Sequence, residues 1–457
     1  MNAKTLVAAA AGALSLMAGI ATAEAGPPGK WTRVTGTGAP ETNTERVGLA
    51  RTDDGVLHVL WSRDDVGTGS VLHSSISADA KSVSAPSTVF DNPLGGVTSS
   101  VDLVRAPDNT LRAFFAATNQ YDGLLASATS SDGAGWSVQA PVSKLEPEGK
   151  PVYVAGGISA AVANDGTFFS AWGASAPEGD GFHVGLDPTV ADGELPGPLN
   201  IDPDIGVDSQ SGQVVAAWNS LDDELVHVMP LAPAGPATTI PTSAPQTQHR
   251  AGVTGRIGAP GVFAAYTKGT NQFLADPSVF RVDTGKALRI TKKDGEQIGI
   301  AAAPDGRLWV FWKKASNVYA TRSNKAATKF GRVVALRTPG SSTTVYNLAG
   351  EASRGPLDLL ALLEPGSGAI ANWHQRILPG LTFSTAKIKK GKQKGKTKVK
   401  VTDAEQAVSG AKVKVKGTGS KTTGSSGTVR FGLAKGKYKV TTSKSGYTSF
   451  TKRVRVK

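Results

Sequence analysis

Short runs of alternating apolar and polar residues fill most of this chain, separated by Gly, Asp, Asn and Pro. Alternation with period two predicts β-strands, and the separators predict tight turns. One interval recurs, from a turn pair to a large apolar residue that ends the following strand. It runs from Asp54-Gly55 to Trp61, Asp108-Asn109 to Phe115, Asp165-Gly166 to Trp172 and Ser211-Gly212 to Trp218. It continues from Ala259-Pro260 to Tyr266, Asp305-Gly306 to Trp312 and Gly355-Pro356 to Leu362. Successive turns lie 46 to 57 residues apart. In the first repeat, strands are expected at 46–50, 56–61, 71–76 and 88–90. In the sixth they are expected at 299–303, 308–312, 318–321 and 333–336. One such unit cannot bury both faces, so the units must pack on one another. A repeat near 50 residues with four strands is the pattern of a β-propeller. The seventh repeat lacks a fourth strand of its own. Trp31–Val34 could supply it and close the ring without an open edge. The fold class expected is therefore all-β: a seven-bladed β-propeller over residues 26–380, with six blades as the alternative.

Beyond it the alternation is stricter, at Val399/Val401, Val413/Val415, Val429/Phe431, Tyr438/Val440 and Val454/Val456. This predicts a small β-sandwich over residues 397–457, joined by a Lys/Gly-rich linker over 381–396. The run Val399-Lys400-Val401, with Asp403, Val408, Gly410-Ala411, Val413, Thr423, Gly427, Phe431, Gly436, Tyr438 and Gly446-Tyr447, resembles the carboxypeptidase regulatory-like domain. That resemblance covers about 60 residues and implies a non-catalytic, transthyretin-like appendage of a secreted or surface protein.

Composition narrows the setting. Lys4, the apolar run 6–20 and the small residues of Ala21-Thr22-Ala23 and Ala23-Glu24-Ala25 read as a secretory signal peptide over 1–25. No later run is long enough to span a membrane. There is no cysteine, which excludes disulfides, thiolate metal sites and a thiol nucleophile. The net charge of +13 is unevenly spread. Residues 387–457 hold 21 Lys and Arg against Asp403 and Glu405 alone, a surplus of 19, and the rest of the chain carries −6. Lys389, Lys390, Lys392, Lys394, Lys396, Lys398, Lys400, Lys412, Lys414 and Lys416 are candidates for gripping an anionic cell-wall polymer or other polyanion, against the plainer reading that they are a solvated face. Few aromatics accompany them, so sequence-specific nucleic-acid recognition is not expected.

Ser130-Ser131-Asp132-Gly133-Ala134-Gly135-Trp136 resembles the Asp box of sialidase-like propellers, one residue short of the usual spacing, and His73–Asp79 is a fainter echo. In that family the box is a structural turn. The family's chemistry uses arginines for the substrate carboxylate, an aspartate acid/base and a tyrosine nucleophile activated by a glutamate. The resemblance places Arg46 on the first role, Asp64 or Asp65 on the second, and Tyr346, in Val345–Ala349, on the third. Trp218 stands where a second arginine might end a strand, Arg256 is a poor substitute, and no glutamate is evident beside Tyr346. The family ring also has six blades.

Other features read as structural. His73, His183, His227 and His374 share a position in the third strand of their repeats, and with His58 make no metal or triad spacing. Asp202, Asp204 and Asp208, and Asp222, Asp223 and Glu224, lack a calcium-loop spacing. The recurrent tryptophans read as wedges between blades rather than sugar platforms. No cofactor is expected. The leading expectation is a secreted, non-catalytic binding protein. Its propeller would recognise an extracellular glycan or protein, and its basic domain would attach to an anionic surface. The alternative is an exo-acting glycosidase of sialidase type.

Overall fold

The structure, a computed structural model, describes residues 23–24, 29–35, 47–65, 68–118, 123–139, 157–176, 179–187, 190–194, 200–220, 223–243, 251–269, 275–292, 294–340, 342–366, 368–388 and 395–456. Among these the chain is all-β apart from one short 3-10 turn at Val282–Thr284.

Seven antiparallel sheets succeed one another along the described chain. Sheet 1 is built on Gly48–Arg51, Leu57–Asp65, Thr68–Ile76 and Ser87–Asp91. The first strands of sheets 2 to 6 are Val97–Arg105, Ile158–Val162, Asn200–Val207, Val253–Thr254 and Glu296–Ala303. Sheet 7 comprises Thr343–Glu351, Leu357–Pro365 and Ala371–Ile377, and its fourth strand is Thr32–Arg33. Thr32 pairs with His374 and Arg33 with Trp373. The amide of Val34 extends this pairing by donating to Asn372 O at 2.8 Å. Each first strand packs against the first strand of the next sheet, and that of sheet 7 packs against that of sheet 1, so the ring is closed.

The turn recurs in structure as in sequence. Gly55, Asn109, Gly166, Gly212, Gly306 and Gly355 all have positive φ, between 69° and 105°. That region disfavours residues with a Cβ. In three repeats an Asp side chain closes the turn from within: Asp54, Asp108 and Asp165 accept the amides of Val56, Thr110 and Thr167 at 2.9–3.1 Å. These amides help hold the three carboxyls below the usual aspartate range, joined in Asp54 by the larger effect of the Thr52 hydroxyl.

No single core fills the ring. One cluster joins sheets 1 and 2 through Leu60, Val71, Leu103 and Phe115, and another joins 2 and 3 through Phe114, Phe168 and Trp172. Four more join the pairs from 3–4 to 6–7, and a last one joins 7 and 1 through Ala349, Leu360, Leu57 and Trp61. The seven anchors of the recurring interval are all buried, from Trp61 at 0% exposed to Leu362 at 5%. The tryptophans among them are therefore wedges, and no sugar can stack on them.

Residues 382–456 form two further sheets around a core of Val399, Val401, Val413, Val415, Phe431 and Val440. Thr382–Lys387, expected within a linker, is instead a strand paired with Thr397–Asp403. Its composition hid it, because Phe383 is its only large apolar residue and Leu381 just precedes it. Ala23–Glu24, expected within the leader, pairs with Ser82–Val83 at the rim of sheet 1.

This C-terminal unit sits against sheet 6. Asp403, its side chain 2% exposed, accepts from Arg322 and lies 3.5 Å from Arg307. Gln406 Oε1 accepts from Arg307 at 2.5 Å and from the Lys325 amide at 3.2 Å. The Arg332 guanidinium lies 5.0 Å from the centre of the Phe450 ring, and Thr448 exchanges backbone hydrogen bonds with Pro379 and Leu381.

Candidate functional site

In every repeat the first strand begins, and the second ends, at the same mouth of the ring. Of the catalytic candidates, Asp64, Asp65 and Tyr346 map to that mouth, at sheets 1 and 7. Arg46 lies outside the described residues. Asp64 and Asp65 extend the second strand of sheet 1, opposite Gly69 and Thr68. Tyr346 is on the first strand of sheet 7, at a bulge between Val345 and Asn347. The residue is 40% exposed. A bulge breaks the alternation of a strand and re-aims one side chain.

The Tyr346 hydroxyl donates to Glu364 Oε2 at 2.5 Å. Glu364 comes from the neighbouring strand, where it pairs with Thr344. The expectation that no glutamate attends Tyr346 is thus corrected. A phenol that donates to a carboxylate resists ionisation, and this bond raises Tyr346 above its usual 10. Lys313 donates to Val345 O at 3.1 Å and lies 3.5 Å from Glu296. Gln297 donates to Tyr346 O. Beside this group a cleft is lined by Val47, Asn347, Leu348, Leu360, Leu362 and Asn372. Asn347 is the chain neighbour of Tyr346, so that candidate adjoins the cleft. Arg63 stands at the same mouth, one residue before Asp64 on the second strand of sheet 1. Arg256 is 5% exposed and spends its donors on Gly306, Pro260 and Lys325 carbonyls near the opposite mouth.

The remaining polar clusters are structural. Near the opposite mouth Asp358 accepts from Arg51, from His374 at 2.9 Å and from Arg376 at 2.8 and 2.9 Å. Arg51 also donates to Glu351 at 2.5 Å. Burial alone would raise the Asp358 pKa, but the hydrogen bonds from His374 and Arg376 and the charge of Arg51 hold it well below the usual range. The cluster ties sheet 1 to sheet 7 where the ring closes. His58 and His73 form a buried pair, Nδ1 to Nε2 at 3.0 Å. Desolvation pushes His73 down to about 4, so the pair is neutral at pH 7. The shared third-strand position of the histidines holds, but their partners differ: Asp223 for His227, Asp358 for His374.

The Asp-box segment is a turn between Gly123–Ser130 and Ser137–Val138. Ser130 Oγ accepts from Gly133 N at 2.8 Å, Asp132 from Ala134 and Gly135, and Trp136 Nε1 donates to Gly133 O. The echo in sheet 1 starts at Ser77, whose Oγ accepts from Lys81 N and Ser82 N, while Asp79 accepts from Lys81 N. Asp204 and Asp208 serve separate places in the fold. Asp204 accepts from Ser159 and from the Val253 amide across sheets, and Asp208 from Ser211 and Gly261 in a turn. Among the described residues no acidic or histidine group could hold a metal ion.

The lysine candidates divide. Lys389, Lys390, Lys392 and Lys394 lie outside the described residues. Lys396 is exposed before the strand Thr397–Asp403, which carries Lys398 and Lys400. Lys412 and Lys414 lie on the other sheet of the C-terminal unit, and Lys416 just follows them.

No family model matches the chain, and no curated protein matches its sequence. Solved structures do. A polysaccharide lyase of family PL25, an ulvan lyase, is 8% identical with a TM-score of 0.46, over 77% of this chain and 95% of that one. An intramolecular trans-sialidase from Ruminococcus gnavus is 10% identical with a TM-score of 0.41, over 76% and 97%. A protein of unknown function from Dyadobacter fermentans is 12% identical with a TM-score of 0.46, over 76% and 97%.

Proposed function

We propose that the chain is a seven-bladed β-propeller with a C-terminal β-sandwich, exported to act on an extracellular glycan at the mouth between sheets 7 and 1. The observation that carries this reading is the exposed Tyr346–Glu364 pair. Glu364 is placed to take the phenolic proton as Tyr346 Oη bonds to an anomeric carbon and the glycosidic C–O bond breaks. Asp64 or Asp65 is the expected donor of a proton to the leaving oxygen. The same carboxylate would return as base when water releases the sugar. The chemistry is that of an exo-acting glycosidase of sialidase type, and the basic domain holds the enzyme on an anionic surface.

The test is hydrolysis of an aryl-glycoside panel that includes an aryl sialoside. Tyr346→Phe and Glu364→Gln should each lower kcat/KM by at least 100-fold with the fold intact. Turnover unchanged in both variants would refute the role of the pair. A second reading, a non-catalytic glycan binder, is favoured by the raised phenol pKa, which keeps the would-be nucleophile protonated. No turnover of any sugar, with binding lost in Tyr346→Phe, would select it.

A further inference from the structure

The lysines of the C-terminal unit are unequally placed. In the sheet Lys412–Val415, Gly419–Thr422, Gly436–Ser443 and Phe450–Val456, the side chains of Val413, Val415, Val440 and Val456 are buried in the core. Strand alternation therefore sends the intervening side chains to the outer face. They include Lys412, Lys414, Lys437, Lys439, Arg453 and Arg455, all exposed. The register sets Lys437 directly opposite Arg455 and Lys439 directly opposite Arg453. Like charges in facing positions destabilise a sheet. Nothing on the face offsets this. The only acids in residues 387–457 are Asp403 and Glu405. Both lie in the hairpin that meets sheet 6, where Asp403 is consumed by Arg322 and Arg307.

We infer that this outer face is a binding site for a linear acidic polysaccharide. Six cations stand on a flat surface, about 7 Å apart along each strand and about 5 Å between strands. That matches a chain with regularly spaced anions. Hydroxyls lie between the cations. Thr441 and Thr451 bond to each other at 2.9 Å, and Ser443 stands beside Lys412. Hydroxyls suit sugar hydroxyls as well as carboxylates. No aromatic residue lies among them, so bases have nothing to stack on, which favours a polysaccharide over nucleic acid. The opposite sheet presents fewer charges, with Lys398, Lys400 and Arg430 in register.

This inference deepens the anchoring half of the proposed function and does not involve the Tyr346–Glu364 pair. It is tested on the full chain with polygalacturonate as probe, and with duplex DNA and neutral dextran for comparison. Lys412→Gln/Lys414→Gln/Arg453→Gln should weaken polygalacturonate binding at least 10-fold. Lys398→Gln/Lys400→Gln/Arg430→Gln, which removes the same charge, should weaken it less than 3-fold. Dextran should not bind. Equal losses in the two triple variants would mean bulk charge and overturn the inference. So would tighter binding to DNA, or no binding at about 50 mM salt, where few-contact electrostatic complexes still form. Repeating the titration with Glu364→Gln separates the two proposals, because retention there must be unchanged whether or not turnover is lost.

Discussion

Removing the Asp403 carboxylate should uncouple the C-terminal unit from sheet 6. In Asp403→Ala, Arg322 and Arg307, with side chains 11% and 12% exposed, keep their charges without their shared acceptor. Breaking a buried pair from one side costs about 3–5 kcal/mol. Other contacts survive. Gln406 still accepts from Arg307 and the Lys325 amide, and Arg322 keeps the rings of Trp309 and Tyr447. The lower figure, about 3 kcal/mol, is therefore the better expectation. A unit of this size shifts by about 4–8 °C per kcal/mol. Its unfolding should thus drop by roughly 12–24 °C and separate from that of the ring. The assay is differential scanning calorimetry of the full chain, where two transitions should replace one. Proteolysis within residues 388–396 should quicken in parallel. A double-mutant cycle with Arg322→Ala should show strong coupling. A single transition displaced by less than about 2 °C would refute the reasoning, since the ion pair would then carry no more than a surface pair does.

Three further outcomes are expected. Gly133→Ala puts a Cβ 2.5 Å from His58 Nδ1 at a φ of +77°, so it should cost about 2–4 kcal/mol in urea unfolding. The same change at Gly135, which has open space around it, should be near neutral. Asp358→Asn removes the charge that Arg51 and Arg376 share and sets an NH2 donor against part of the donor cluster, so it should destabilise the ring by about 3–5 kcal/mol. Stability should also fall as pH drops through the window from 6.5 to about 4, because unfolded His73 takes up a proton that the folded state refuses until the lower value. The contribution, up to about 3 kcal/mol, is complete above that window. His73→Gln should flatten the slope, and an unchanged slope in urea titrations would sink the argument.

The architecture was legible because its determinants are local. A positive-φ turn, an Asp that closes it and a large apolar residue one strand later need no knowledge of distant chain. The misreadings came from elsewhere. Glu364 lies 18 residues from Tyr346 and reaches it across a bulge. Counting the hairpin from the pairing of Glu351 with Asp358 brings position 363 opposite 346 and so would have flagged its neighbour. In the fainter echo of the Asp box it is Ser77 and Asp79, not His73, that carry the turn's hydrogen bonds. Asp403 was legible only as a motif residue, although a nearly lone acid in a basic unit is a signal that its charge is used. Lys437, Lys439, Arg453 and Arg455 were not legible as part of the basic face, because only the cross-strand register places them beside Lys412 and Lys414.

The closing strand also sets a timetable. Thr32–Arg33 has no sheet to join until His374 has been made, about 340 residues later. At ordinary rates of synthesis that is a wait of roughly 17–70 s, during which a nascent strand is available to any other open edge. Two paired residues beside Lys30 make a poor template for such encounters, so brevity and charge at the start of the chain protect it while it waits. A chain begun after Arg33 would mature with the third strand of sheet 7 bare. Its characteristic failure would be an intermolecular strand exchange rather than a loss of the sheets themselves.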